Sequence, residues 1–247
     1  MELRDFHVHS TYSDGINTPE EIVLSAIDKG LTVIGFSDHS FTAFDQSYCM
    51  PKEKIADYRA EISALREKYS GKITVLCGIE QDYYAKESTA KYDYVIGSVH
   101  YLKVKEQYIP VDEDAETLKK AAEQFFQGDM YALTEAYYKT VGDVVRKTGA
   151  TIIGHFDLIT KFNEQHHLFD ETHPRYRKAW KNAARELLKS GAIFEINTGA
   201  VSRGYRTTAY PSLEIRQFIR EHGGSFVLSG DSHSAENLCF RFEQENL

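Results

Sequence analysis

Cysteine is scarce: three in 247 residues, too few and too scattered for a disulfide framework. Cys49, Cys77 and Cys239 stand far apart, and none has a second cysteine at zinc-finger spacing. Basic charge is also in short supply. Lys and Arg number 29 against 37 Asp and Glu, and the formal charge of −8 argues against a nonspecific nucleic-acid or acidic-membrane surface. No apolar run is long enough to cross a bilayer, the first residues lack a signal peptide's apolar core, and no low-complexity linker or repeat divides the chain. These absences leave a cytoplasmic enzyme as the expectation, with residues 1–247 forming one domain.

What the chain does contain is a dense opening stretch, Phe6-His7-Val8-His9-Ser10, followed by Ser13-Asp14-Gly15. On a strand, side chains two apart point the same way, so His7 and His9 can grip one ion from one face. Gly15 lets the polar turn carry Asp14 back towards them. Alone, such a pair reads equally well as buried structural histidine.

Seven apolar runs read as strands, at 3–8, 32–37, 72–79, 94–99, 151–154, 192–197 and 225–229. Helices are expected between them: one opened by Asn17-Thr18-Pro19-Glu20-Glu21 and stopped at Gly30, then 53–69, 113–148 with a break near Gly128-Asp129, 174–190 and 211–222. The alternation implies a parallel α/β sheet. An open sheet gathers its site at a switch point, whereas a barrel collects loops from every strand at one face. Polar ligand-type residues follow every expected strand but the sixth, which favours a barrel one strand short of eight.

His39, Glu80, His100, His155, Asp231 and His233 each end one of these strands. Any one of them alone reads more simply as a hydrogen-bonded strand-end group. Six delivered in the same sense point to a metal site. His166, His167 and His173 read instead as loop residues, and His222 as a partner for a helix C-terminus. The Tyr131, Tyr137 and Tyr138 cluster reads as helix packing.

The motifs His7-Val8-His9-Ser10, Ser13-Asp14-Gly15, Ser37-Asp38-His39, Gly78-Ile79-Glu80, Gly97-Ser98-Val99-His100, Gly154-His155 and Gly230-Asp231-Ser232-His233 run in the order of the PHP family. The chain strongly resembles that polymerase and histidinol phosphatase superfamily from residue 7 to 233, and within it the stand-alone histidinol-phosphate phosphatases. The resemblance implies a distorted (β/α)7 TIM-like barrel with three divalent ions (zinc, manganese or iron) at the C-terminal ends of the strands. It gives one metal His7, His9, Asp231 and bridging Glu80, and a second Glu80, His100 and His155. The third takes Asp14, His39 and His233, although some members have histidine where Asp14 stands. Hydrolysis of L-histidinol phosphate to L-histidinol and phosphate, a step in histidine biosynthesis, is the implied activity, with Glu80, Asp231 and His233 catalytic.

Physical chemistry supports an anionic substrate. Phosphate monoesters hydrolyse so slowly that an enhancement approaching ~10²¹ is needed, and clustered metals both neutralise phosphoryl oxygens and lower a water's pKa to about 7. Three divalent ions would set about +6 against the −3 of Asp14, Glu80 and Asp231, a cationic site inside an acidic chain. The expected route is in-line attack by a metal-bridging hydroxide near Glu80 and Asp231, because no nucleophile motif is present to carry a phosphoenzyme. Arg203 foremost, then Lys161 and Arg206, are candidates to fork onto phosphate oxygens. The rings of the 40–51 loop read as loop packing. A small-molecule phosphate ester is the expected partner, with no nucleic acid or membrane. Rival readings are a nucleotide or short-oligonucleotide phosphoesterase, a protein-tyrosine phosphatase, an amidohydrolase barrel and a non-catalytic module. Glu80 and the Asp231-Ser232-His233 ending oppose the amidohydrolase, and a ligand-type residue at all nine positions opposes the non-catalytic module.

Overall fold

In the computed structural model, which describes residues 2–245, seven parallel strands form one sheet that nearly closes into a barrel. The expected outer limits at 1 and 247 lie outside the described residues. The first strands are β1 (Arg4–Asp5), β2 (Val33–Phe36), β3 (Thr74–Asp82) and β4 (Tyr94–Ser98). A separate antiparallel hairpin follows, β5 (Tyr101–Val104) and β6 (Gln107–Pro110). The sheet then resumes with β7 (Ile152–Ile153), β8 (Ile193–Asn197) and β9 (Phe226–Ser229), in the order β1-β2-β3-β4-β7-β8-β9. The seven expected strands are therefore present and parallel.

The ring closes between its first and last members. Val8 bridges Ser232 in parallel, His9 N–H donates to Ser232 O at 2.9 Å, and Ser232 N–H donates to His7 O at 3.0 Å. The buried Asp5 carboxylate reinforces this seam by accepting from Gly230 N–H (2.9 Å), His7 N–H (3.2 Å) and Cys239 N–H (3.2 Å). Beneath the site the barrel is plugged by Tyr94, Ile96 and Ile152, packed with Phe6, Leu76 and Val227. The Tyr94 ring occupies the space over Gly78, where an added Cβ would lie 2.3 Å from a ring carbon. Its hydroxyl shares one proton between Phe6 O (2.6 Å) and Phe36 O (2.9 Å), so the floor ties β4 to β2 and to the segment after β1.

Helix α1 (Pro19–Asp28) begins with a capping box, Thr18 and Glu21 each bonding the other's backbone, and α2 (Ile55–Lys68) follows the aromatic loop. The long helical stretch expected at 113–148 is three helices: α3 (Ala115–Phe126), α4 (Met130–Val141) and α5 (Val144–Thr148). Left-handed Gln127 and Gly128 end α3, and the Asp129 side chain recaps α4 by accepting from Tyr131 and Ala132 N–H. A second break falls at Gly142. Short α6 (Asn163–His166), α7 (Pro174–Leu188), short α8 (Gly199–Ser202) and α9 (Leu213–Glu221) complete the shell. Tyr137, Tyr138 and Trp180 bury themselves in its core, and Tyr138 shares a 2.9 Å bond with Tyr176 on α7. Among the described residues no helix is long and apolar enough to cross a membrane.

Candidate metal centre

Glu80, on β3, stands at the middle of the converging side chains. Its Oε2 lies 2.8 Å from His39 Nδ1 and 3.3 Å from His7 Nε2, while its Oε1 lies 3.0 Å from His155 Nε2 and 3.3 Å from His100 Nε2. Asp231 Oδ1 lies 3.4 Å from His9 Nε2, and Asp14 Oδ2 lies 3.2 Å from His233 Nε2. All nine residues thus meet past the C-terminal ends of the strands. Three groups bring ligand atoms within 4.8 Å of one another: His9, Asp14, His39 and His233; His7, His9 and Glu80; His39, Glu80 and His100. Here His9 joins the Asp14 group, and His39 also joins Glu80 and His100. His155 meets Glu80 directly, and Asp231 approaches Glu80's partners His7 (3.9 Å) and His9 (3.4 Å).

The donor set suits a divalent cation. His7 Nε2, both ring nitrogens of His9, and Glu80 Oε2 are buried and make no hydrogen bond. Each such orphan costs ~1–3 kcal/mol unless a partner arrives. Mixed imidazole and carboxylate ligands are the shell that zinc, iron or manganese takes. Burial pulls the His9 imidazole down to about 3, helped by His233 and His39, so the ring is neutral and keeps one nitrogen lone pair free to ligate. Burial alone would raise Glu80, but His39, His7 and His100 outweigh it and hold the carboxyl well below its usual range. Asp231 behaves likewise: Arg203 and His7 overcome burial and keep it ionised.

Supporting residues hold this cluster in place, and several were not legible beforehand. Glu195 on β8 is fully buried and accepts from His7 Nδ1 (2.9 Å), His155 N–H (2.5 Å) and Asn197 Nδ2 (2.8 Å). A carboxylate only accepts, so Nδ1 keeps a proton and Nε2 is the nitrogen turned to the centre for a metal. The signal was a lone acid inside the apolar run of the strand that delivered no ligand. Asp38 accepts from Ser10 N–H (2.8 Å) and Ser13 Oγ (2.7 Å), clamping the turn between His9 and Asp14. Gly15 is obligatory in that turn, since a Cβ there would lie 2.3 Å from His9 O. Ser98 Oγ donates to Glu80 Oε1 at 2.6 Å.

A cavity of about 430 Å³ opens over the cluster, walled in part by Asp45, Tyr48, Asp112, Lys161, Arg203 and Tyr210. Arg203, at its rim, donates to Asp231 O (2.8 Å) and Oδ2 (3.1 Å). Lys161 also lines it, with Nζ donating to Asp112 O at 2.8 Å. Arg206 does not line it. That side chain is buried behind Tyr210, its guanidinium 4.6 Å from the ring centre, bonded to Thr160 and 3.6 Å from Glu164. The unexpected β5–β6 hairpin helps build the wall: Phe44 stacks on Tyr108 at 3.8 Å and Tyr101 donates to Asp45 at 2.6 Å, pinning the aromatic loop to it. A larger hollow, about 890 Å³, lies between this hairpin, α4 and α7 and is lined by none of the nine.

Comparison with known proteins places this geometry in context. Residues 5–199 match the PHP domain. A Deinococcus radiodurans protein named probable histidinol-phosphatase is 30% identical, covering 97% of this chain and 90% of its own length. The Bacillus subtilis histidinol-phosphatase is 26% identical over 98% of each chain. The Lactococcus lactis histidinol phosphate phosphatase, crystallised with zinc, L-histidinol and phosphate, superposes with a TM-score of 0.73 at 23% identity, over 95% of this chain and 87% of its own. At that identity the structural likeness carries the fold.

Proposed function

Because the chain belongs to the PHP domain family, we propose that it is a metal-dependent hydrolase of phosphate monoesters, splitting L-histidinol phosphate into L-histidinol and phosphate in the cytoplasm. The nine residues His7, His9, Asp14, His39, Glu80, His100, His155, Asp231 and His233 would hold three divalent ions of zinc, manganese or iron. When bound, the ions supply Lewis acidity towards the phosphoryl oxygens and a nucleophile at neutral pH.

The chain's own groups do the rest. Glu80 and Asp231, both kept ionised, share the imidazoles of His7 and His9 and can orient an attacking water by accepting its hydrogen bonds. His233, partly exposed at the mouth, can donate from Nδ1 to Asp231 O at 3.1 Å, which leaves Nε2 to ligate beside Asp14. Arg203 and Lys161 offer cationic donors to phosphate oxygens. Glu195 keeps His7 in its ligating tautomer, and the Tyr94 plug shuts the barrel below.

The carrying observation is the pairing of floor and wall. A floor of orphaned nitrogens and one orphaned carboxylate oxygen lies under walls that hold Arg203 and Lys161 together with Asp45, Asp112 and Glu113. An ester with an anionic phosphate at one end and a cationic amine at the other matches both sets. The test is phosphate release by the metal-loaded protein from L-histidinol phosphate, phosphotyrosine, AMP, a nucleoside 3′,5′-bisphosphate and an aryl phosphate. A preference for L-histidinol phosphate by orders of magnitude in kcat/KM is expected. Flat turnover discards that substrate, and no turnover with metals bound overturns the enzyme.

A further inference from the structure

Tyr210 carries an unmet hydrogen-bond donor at the wall of the reaction cavity. The residue is 1% exposed, it lines the cavity over the metal centre, and its hydroxyl makes no hydrogen bond. Other deeply buried tyrosines differ. Tyr58 donates to Gly78 O at 2.9 Å, Tyr137 to Phe156 O at 3.3 Å, and Tyr138 and Tyr176 bond each other. Tyr210 is the one tyrosine among the described residues with a buried, orphaned oxygen.

No acceptor of the protein bonds the hydroxyl, not even buried Asp157, whose Oδ1 is also without a partner. The tyrosine's backbone is paired both ways with Asn197 on β8, Tyr210 N–H to Asn197 O at 2.9 Å and Asn197 N–H to Tyr210 O at 2.8 Å. The Arg206 guanidinium covers the ring, and the His155 ring meets it edge-on at 6.4 Å. Asn197 in turn donates to Asp231 Oδ2 at 3.2 Å, so the tyrosine is registered to the metal cluster through one residue. A buried donor without an acceptor is costly and rare. The cost is met if the acceptor enters with the ligand.

We propose that the Tyr210 hydroxyl donates a hydrogen bond to a phosphoryl oxygen of the substrate, acting beside Arg203 as part of the phosphate pocket. The proposal rests on the cavity taking a phosphate. No bond is made or broken at Tyr210, and the proton stays on its oxygen. Burial pushes the phenol well above its usual range, with Asp157 adding to the shift against Arg206, so the group is a donor throughout neutral pH. That suits an anionic acceptor. It also assigns Arg206, which lies outside the cavity, the task of bracing this ring.

The test is a titration of metal-loaded wild type and Tyr210→Phe with inorganic phosphate and, separately, with L-histidinol, by calorimetry. Metal content and Tm are measured on the same samples. The variant is expected to keep its metals and its Tm, since no internal bond is lost, and to bind phosphate about 10-fold or more weakly. Its affinity for L-histidinol should stay within about twofold. Equal phosphate affinity in the two proteins, no phosphate binding by the wild type, or a fall in L-histidinol affinity alone overturns the proposal. So does a large drop in Tm or in metal content, which would mean the hydroxyl serves the fold. Failure of the wild type to turn over L-histidinol phosphate strikes the substrate assignment and leaves the phosphate comparison to decide Tyr210.

Discussion

Replacing Glu195 with glutamine changes one oxygen to an amide nitrogen in a fully buried place, and the consequence can be followed atom by atom. Glu195 Oε1 accepts from two donors, His155 N–H at 2.5 Å and Asn197 Nδ2 at 2.8 Å, so the carbonyl of a glutamine is drawn to that position. The new NH₂ then faces His7 Nδ1, formerly 2.9 Å from Oε2. A donor there forces Nδ1 to accept, moving the imidazole proton to Nε2, the atom 3.3 Å from Glu80 and 3.9 Å from Asp231. A protonated Nε2 cannot ligate. Losing such an outer partner typically costs 10–100-fold in metal affinity, about 1.4–2.8 kcal/mol. The sign of the pH dependence also follows. Burial works to lower the His7 pKa, but Glu195, Glu80 and Asp231 outweigh it and raise it well above normal, so in the wild type a metal must displace a proton. The variant loses the strongest of these acids, its His7 pKa falls, and proton competition weakens. The affinity gap should therefore be widest at alkaline pH and narrow as pH falls. Zinc titration of the metal-free protein against a competing chelator measures it. Affinities within twofold at high pH, or a gap that widens on acidification, would refute the reasoning.

Glu80→Gln removes the carboxylate shared by five histidines, and should abolish most phosphate release while far-UV circular dichroism stays native; near-wild-type turnover in a metal-replete sample counts against the assigned centre. Asp5, raised from 3.8 to about 6 by burial against three backbone donors, binds its proton more tightly folded than unfolded. Its contribution is therefore present below about pH 4 and lost as pH rises through 6, a term of order 3 kcal/mol. Asp5→Asn should flatten that part of the urea-denaturation profile of metal-free protein, and parallel profiles would contradict it. Gly78→Ala drives a methyl into the Tyr94 ring and should cost ~1–3 kcal/mol by the same assay, whereas an unchanged midpoint would mean the floor yields easily.

The strands and their order were legible because each is a short apolar run ended by a polar residue, as in Thr151-Ile152-Ile153-Gly154-His155. Convergence of the nine ligand-type residues followed from the barrel topology alone, since every parallel strand opens at the same face. Their grouping did not follow. Whether His9 faces Asp14 or Glu80 depends on side-chain direction where the strands have already ended. Glu195 was missed because its partner His7 lies 188 positions away, a pairing no local pattern contains. The β5–β6 hairpin was missed because its turn places Lys105 at φ 56° without the Gly, Asn or Asp that advertises such a turn. The 113–148 stretch shows both outcomes: Gly128-Asp129 announced its break, while Gly142 did not. Arg203 and Arg206 differ by three places in one loop, and only the tertiary fold turns one to the cavity and the other behind Tyr210.

The seam between β1 and β9 has a meaning for the order of events during synthesis. His7 and His9 are made before β2, while Asp231 and His233, which stand against them across the Val8–Ser232 bridge, are made after β9. A nascent chain therefore displays a histidine pair long before the carboxylate that completes its surroundings exists. The centre can be assembled only once β9 has been made and the segment that follows it is brought back against the one after β1. Ions captured by the finished centre then act as a clasp on that junction, making metal supply a determinant of how firmly the barrel is shut.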